Sequence, residues 1–311
     1  MAAKRSVWPL VVLVAVIVIA AGGAAAVVSV YVLPTHTPHS VKTVTEGDNV
    51  TVNYIGMFAS GPQQGKVFDT SLYSVYQNNA TYPKSLEYVP RGSESNYTVL
   101  PVHVGPTAPT NGYVFGNYTF STVITGFWQG ILGMTGNQTR IVTIPVNLAY
   151  GPARPSCFTT EPLVLTVPID STVPLGTFRA DYPNVTARAG TTFPNQVYGW
   201  TEYILSANST TVSLQSLVSV GQRVTALELP YAVTAISNGN ITLTSTLTTG
   251  QAGTVLGRLP GNAPTVCSSG EFIVSSIDWT TGVMTWNFNN EIYGEPLRFY
   301  ITVVDIFPAG A

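Results

Sequence analysis

Between residues 123 and 151 the chain reads VITGFWQGILGMTGNQTRIVTIPVNLAYG, and upstream of it stand VNYIG (52–56) and GKVFDTS (65–71). Rings and branched apolar residues dominate these stretches, and the carboxylate they contain, Asp69, directly follows Phe68. Side chains of these types supply no nucleophile. Gathered at one end of a sheet they form a shallow apolar cup that takes in an apolar group and strips it of water. A carboxylate beside a ring that a strand buries needs a partner or a purpose, because an unpaired buried charge is costly. Other chemistries find little support. The histidines are His36, His39 and His103, two of them in one short Pro-containing stretch, so neither a metal site nor a Ser-His-Asp arrangement is expected. Nothing marks out a pair of carboxylates for glycosidase-type work.

Short elements must position such a cup. Val50, Val52 and Tyr54 alternate with polar neighbours, as a half-buried strand requires. Residues 122–126 lead into FWQGILGM, where Phe127, Ile131 and Met134 fall at helical spacing. Gly130 interrupts this helix, and Gly133 and Gly136 stop it. Residues 140–145 alternate again, and 147–151 read as a loop that hangs Tyr150 over one end of the sheet. The Gly-, Pro- and Asn-containing stretch 105–118 reads as a loop at the rim. Farther on the chain is almost wholly β-patterned. Residues 203–214, 232–243 and 273–285 each join two β-branched runs through a polar turn; Asn238-Gly239 is a strong hairpin signal, since both central positions of such a turn take positive φ. Three such hairpins predict a twisted sheet or small barrel, with spacing too irregular for a solenoid.

Taken in order, the aromatic-bearing strand, the FD pair, the V-I-x-G helix start, the G-M turn, the apolar strand and the AYG loop resemble FKBP-type peptidyl-prolyl isomerases. NFNNEIYGEPLRFYITVVDI (287–306) resembles the closing strand of the insert-bearing, SlyD-type branch, and the long insert resembles its extended archaeal form. The resemblance implies an α+β fold: an FKBP-like antiparallel sheet wrapped on a short helix, with a large all-β insert domain. The isomerase body would occupy 41–154 and 296–311, and a substrate-binding or chaperone domain 155–295. Phe127 would form the floor beneath a proline ring, Tyr54, Phe68 and Phe299 the walls, and Val123 the rim. The Ile124 N–H and the Tyr150 hydroxyl would hold substrate carbonyls. Asp69 would orient Tyr54 and be the one charge in the site, while Tyr88 and His103 compete for a further aromatic wall. No cofactor and no metal is implied, because turning an X-Pro amide breaks no bond; its barrier of ~18–20 kcal/mol comes from resonance. Where the SlyD-type branch has N-H-P-L-A-G, this chain has NNEIYG (289–294), so the His and Pro are absent. The alternative is a non-catalytic FKBP scaffold, a chaperone or structural surface subunit with its pocket closed by the loop 105–118.

Of the 311 residues 45% are hydrophobic and only 9% charged, with a net charge of −2. That leaves apolar material for two domain cores and no basic field for nucleic acid. No charge occurs from Val7 to Leu33, a run longer than the ~20 residues that cross a bilayer core. Lys4 and Arg5 precede it, and the next charge is Lys42. The positive-inside rule therefore predicts a cytoplasmic segment 1–6, a transmembrane anchor 7–33, a stalk 34–40 and everything beyond on the outer side of the cell membrane. A cleaved signal peptide competes, since residues 20–26 are small. The expected partners are unfolded or proline-containing exported polypeptides, and the membrane through that helix. Asn49, Asn79, Asn96, Asn117, Asn137, Asn184, Asn208 and Asn240 each begin an N-x-Thr sequon, the acceptor pattern for glycosylation. Cys157 and Cys267 are the only cysteines. They either form a bridge that ties the two ends of the insert or remain two buried thiols.

Overall fold

The structure is a computed structural model that describes residues 42–107, 113–259, 267 and 270–307. The first part of the chain forms β1 (Asn49–Phe58), β2 (Val67–Thr70), the helix α1 (Tyr73–Gln77), β3 (Leu100–His103), β4 (Tyr113–Phe115), β5 (Tyr118–Phe120), the helix α2 (Thr125–Ile131) and β6 (Thr139–Ile144). There follow β7 (Phe158–Pro162), β8 (Val164–Pro168), β9 (Asp170–Pro174), the helix α3 (Leu175–Asp181), β10 (Thr192–Pro194), β11 (Thr201–Ala207), β12 (Thr211–Leu217) and β13 (Arg223–Ala226). The last are β14 (Leu229–Ser237), β15 (Asn240–Ser245), β16 (Leu256–Arg258), β17 (Glu271–Asp278), β18 (Val283–Asn287) and β19 (Leu297–Phe307).

β1 lies inside a five-stranded antiparallel sheet of order β2-β1-β19-β6, and β3 also pairs with β1. The ladder between β1 and β19 runs from Asn49 opposite Phe307 to Phe58 opposite Leu297, so strands far apart in the chain share its longest seam. Val50, Val52, Tyr54 and Phe58 from β1 and Phe299, Ile301 and Val303 from β19 bury one continuous face, which α2 covers with Phe127 and Ile131. Two glycines let the helix come this close. A Cβ at Gly126 would lie 2.3 Å from Ile144, and one at Gly130 would lie 2.5 Å from Val142. The glycine that interrupts the helical pattern is thus part of the packing against β6, and Gly133 at φ 72° ends the helix.

Three more sheets follow one plan. The chain runs out along β7, β8 and β9 and comes back as three meanders: β10-β11-β12 takes β9 as its fourth strand, β13-β14-β15 takes β8, and β16-β17-β18 takes β7. Each outgoing strand ends in a proline, at 162, 168 and 174, and the residue after it donates its N–H near the turn of a hairpin. Leu163 bonds Gly282, Ile169 bonds Gly239 and Leu175 bonds Thr210, at 2.8 to 2.9 Å. Proline suits this place because it has no N–H to lose from the ladder. The sheets of β7 and β8 share a core that includes Leu163, Trp200, Tyr231, Phe272, Trp286 and Phe288. The sheet of β9 packs Phe193, Ile204, Val212 and Leu214 against Phe178 of α3. Cys157, just before β7, is buried and disulfide-bonded to Cys267, with a Cα–Cα distance of 5.7 Å across 110 residues.

Several expectations need correction. The fold is mostly β rather than α+β: the α-helices among the described residues have five or seven residues each, whereas antiparallel strands make up the sheets. Glycine limits α2 to about two turns, and β-branched alternation fills most of the rest. The three hairpins do not merge into one twisted sheet or barrel, because β7, β8 and β9 give each its own edge partner. Helix α3 also interrupts the stretch expected to be wholly β. A seven-residue helix spans roughly 10 Å against a hydrocarbon layer of ~30 Å. No helix among the described residues is long and apolar enough to cross a membrane. The segments 1–6, 7–33 and 34–40 lie outside the described residues, and the cell-membrane placement built on them is withdrawn.

Candidate functional site

β1 brings Tyr54, β2 brings Phe68 and Asp69, and β19 brings Phe299 to the end of the sheet where α2 begins. Val123 and Ile124 precede the helix, Phe127 lies in its first turn, and Tyr150 follows β6 on a short loop. All eight line one cavity of about 380 Å³, together with Leu100, Ser121 and Thr122. Phe127 forms its floor at 2% exposure. Its ring stands edge-on to Phe299 at 5.1 Å and to Tyr54 at 6.1 Å, and Phe68 stands edge-on to Phe299 at 5.6 Å. Edge-to-face packing of this kind fixes ring positions beyond what area burial does.

Room for the rings comes from Gly56, which sits opposite Phe299 on one side and Asp69 on the other. A Cβ there would lie 2.6 Å from Phe68 and 3.0 Å from Phe299. Gly56→Ala is therefore expected to cost about 1–3 kcal/mol through overpacking and to push Phe68 into the cavity. Gly176→Ala in α3, where nothing lies within 4 Å, is the control and should leave stability unchanged or higher. Denaturant titration of both variants checks the pair; an unaltered midpoint for Gly56→Ala would show that the rings yield freely.

Three polar side chains meet at one wall of the cup. The Tyr54 hydroxyl donates to Asp69 and accepts from Arg91 Nη2 at 2.6 Å, while the same nitrogen lies 2.8 Å from Asp69 Oδ1. The guanidinium also stands 6.0 Å from the centre of the Tyr54 ring. Burial first, and then the negative charge of Asp69, raise the Tyr54 hydroxyl far above its ordinary value, so it remains a neutral donor. Burial followed by Asp69 and Tyr293 also raises Tyr150, a rim residue 41% exposed whose ring stands 6.3 Å from that of Tyr293. The Ile124 carbonyl accepts the Phe127 N–H at 3.0 Å, and its own N–H takes no partner among the described residues. Both of these donors can therefore serve an incoming carbonyl.

Arg91 was missed in the sequence, and Asp69 is not the only charge in the site. The demand of Asp69 for a partner was the available signal; the stretch 73–97 that supplies it carries no regular period. Neither contender for the further wall lines the cavity. Tyr88 stacks on Tyr76 at 6.3 Å, His103 Nδ1 lies 2.8 Å from Asn49 Oδ1, and Leu100 stands at the cavity wall instead. That contact also leaves Asn49, at 3% exposure, inaccessible as a glycosylation acceptor. Asn79, Asn96, Asn117, Asn137, Asn184 and Asn208 are exposed, and Asn240 is half-buried.

No family model matches the chain. Over 111 residues it is 29% identical to the short-type peptidyl-prolyl cis-trans isomerase of Methanocaldococcus jannaschii, an alignment covering 36% of this chain and 53% of that protein. The chain thus spans about half the length of the curated relative it matches. Over roughly a third of its own residues, the chain is similar to a peptidyl-prolyl cis-trans isomerase.

Proposed function

We propose that the chain is an FKBP-type peptidyl-prolyl cis-trans isomerase and folding helper, with the cup as its catalytic pocket. The observation that carries this reading is the convergence of Tyr54, Phe68, Phe127, Tyr150 and Phe299 on one 380 Å³ hollow. Similarity to an isomerase over part of the chain supports it. A planar X-Pro amide is stabilised by resonance and by water on its carbonyl; in a dry cup the water is gone, and the twisted state loses less than the planar one. The floor ring of Phe127 takes the pyrrolidine, and the Ile124 N–H and Tyr150 hydroxyl hold carbonyls of the peptide. Tyr54, fixed by Asp69 and Arg91, keeps the wall in place and turns an ordered dipole toward the bound amide. No proton leaves the protein and no bond breaks.

Residues 155–295 are assigned to gripping unfolded or proline-containing polypeptides, and 41–154 with 296–311 to the isomerase body. Supporting the first assignment are exposed apolar side chains on that stretch, among them Val164, Leu217, Val220 and Trp279. An isomerisation assay on a proline-containing peptide tests the enzyme. Wild-type protein is expected to accelerate exchange, and Tyr150→Phe, which deletes one hydrogen bond worth about 1 kcal/mol, to lose about fivefold in kcat/KM. Exchange at the uncatalysed rate with full-length wild type would sink the catalytic reading. Peptide binding retained in that case would favour the non-catalytic scaffold.

A further inference from the structure

Glu291 lies between β18 and β19, with only 6% of its surface exposed. No lysine or arginine pairs with it among the described residues. Its carboxylate instead accepts from Gln63 Nε2 at 2.9 Å, from the Ser85 hydroxyl and from the Glu87 N–H at 3.1 Å. In return the Glu291 N–H donates to Glu87 Oε2 at 3.0 Å, and Gln63 Oε1 accepts the Leu86 N–H at 2.9 Å. A buried charge held by neutral donors alone fixes whatever carries those donors, because letting one go leaves the charge undersatisfied. Residues 85–87 carry two of them. Four residues past Glu87 comes Arg91, after Pro90, whose ring fixes its own φ and restricts the residue before it. Arg91 then reaches Tyr54 and Asp69.

We propose that Glu291 is a positioning residue of the cup: its buried carboxylate holds residues 85–87 and, through the stiff stretch that follows, sets where Arg91 meets Tyr54 and Asp69. Its kinetic consequence rests on the isomerase reading; its structural consequence does not. Glu291 lies four residues past the end of β18, so the clasp ties the connection after that sheet to the cup.

Glu87 makes the clasp sensitive to pH. Burial raises its carboxyl to about 7, the bond from the Glu291 N–H opposes this, and the charges of Glu291 and Glu271 add to the rise. A carboxyl raised by folding lends stability that is full below its unfolded value and is lost as pH climbs through the folded one. The contribution of Glu87 to the clasp is therefore full in acid and is lost as pH climbs through about 7.

Hydrogen exchange in the full chain decides the structural half. The Arg91 N–H donates to the Tyr97 hydroxyl at 3.1 Å, so its protection reports where the segment sits. Glu291→Ala is expected to speed Arg91 exchange about tenfold relative to wild type while β1 and β19 keep their protection, and Glu291→Gln, retaining one acceptor oxygen, to fall between. Beyond the intrinsic pH dependence of exchange, Arg91 protection should decline between pH about 5 and 8 in wild type and stay level in Glu87→Gln. Kinetics decide the rest. Glu291→Ala and Arg91→Ala should each lower kcat/KM about tenfold through kcat, and the double variant should be no worse than Arg91→Ala alone. Unchanged Arg91 exchange in Glu291→Ala, or losses that multiply in the double variant, would overturn the proposal. An inactive wild type would remove the isomerase reading alone, and the exchange result would still judge the clasp.

Discussion

Phe127→Ala is expected to lower the free energy of unfolding by about 3–5 kcal/mol and to bring isomerisation down to the uncatalysed rate. Both effects have one origin. The ring is almost fully buried, it meets Tyr54 and Phe299 edge-on, and it is the surface of α2 that seals the sheet below the cavity. Deleting it enlarges the hollow downward, admits water where a dry floor is needed, and frees two wall rings to tilt. Phe127→Leu separates the roles. Most of the apolar volume returns, so the loss should shrink to about 1–2 kcal/mol, while the flat floor is gone and activity stays low. Denaturant midpoints and peptide isomerisation rates on the two variants give the comparison. A fully active Phe127→Leu would mean that bulk, and not a flat ring, is what the floor supplies.

Removing the disulfide has an effect of similar size in a different part of the protein. Cys157 and Cys267 close a loop of 110 residues, and the chain-entropy model assigns about 4–5 kcal/mol to a closure of that length. The double variant Cys157→Ser, Cys267→Ser is expected to lose that much, measured as a lower denaturation midpoint that reductant no longer changes. The loss should be local as well. Amides of β7, β17 and β18 should exchange faster, and those of β1 and β19 much less so, because the latter pair belongs to another core. Equal midpoints for wild type and variant would show that native packing alone holds the ends together.

The parts of this architecture legible in the sequence are those whose cause is local. Alternation marked β1 and β6, and polar turns marked the hairpins β11-β12, β14-β15 and β17-β18. Asn238 and Gly239 do take positive φ, 52° and 71°, as that turn requires. Glycine spacing marked where α2 must stop, though not that Gly130, like Gly126 at the helix start, is a contact point for β6, through Val142 and Ile144 respectively. Features set by distant partners left a fainter trace. β7, β8 and β9 pair with strands far along the chain, and their one local mark is a proline at every sixth position, 162, 168 and 174, which reads as interruption until the ladders are known. Arg91 is similar: Asp69 asks for a partner or a purpose, but the sequence reading makes it the one charge in the site and nothing names a cation. Among the cup residues the rings were found through motif order, whereas the Glu291 clasp, built from single polar side chains on separate segments, carries no pattern at all.

The out-and-back path of the chain sets a timetable. Val173 faces Val212, Val167 faces Ile241 and Thr160 faces Thr285, so the span that must be closed lengthens from one sheet to the next, and the entropy of closure grows with it. As the polypeptide emerges from the ribosome, the sheet of β9 can finish while later strands are still unmade, followed by that of β8 and then that of β7. The seam with β19 needs residues that are synthesised after all of these strands. Since Phe299 belongs to that seam, the hollow it lines cannot be complete until every residue between β6 and β19 has been made.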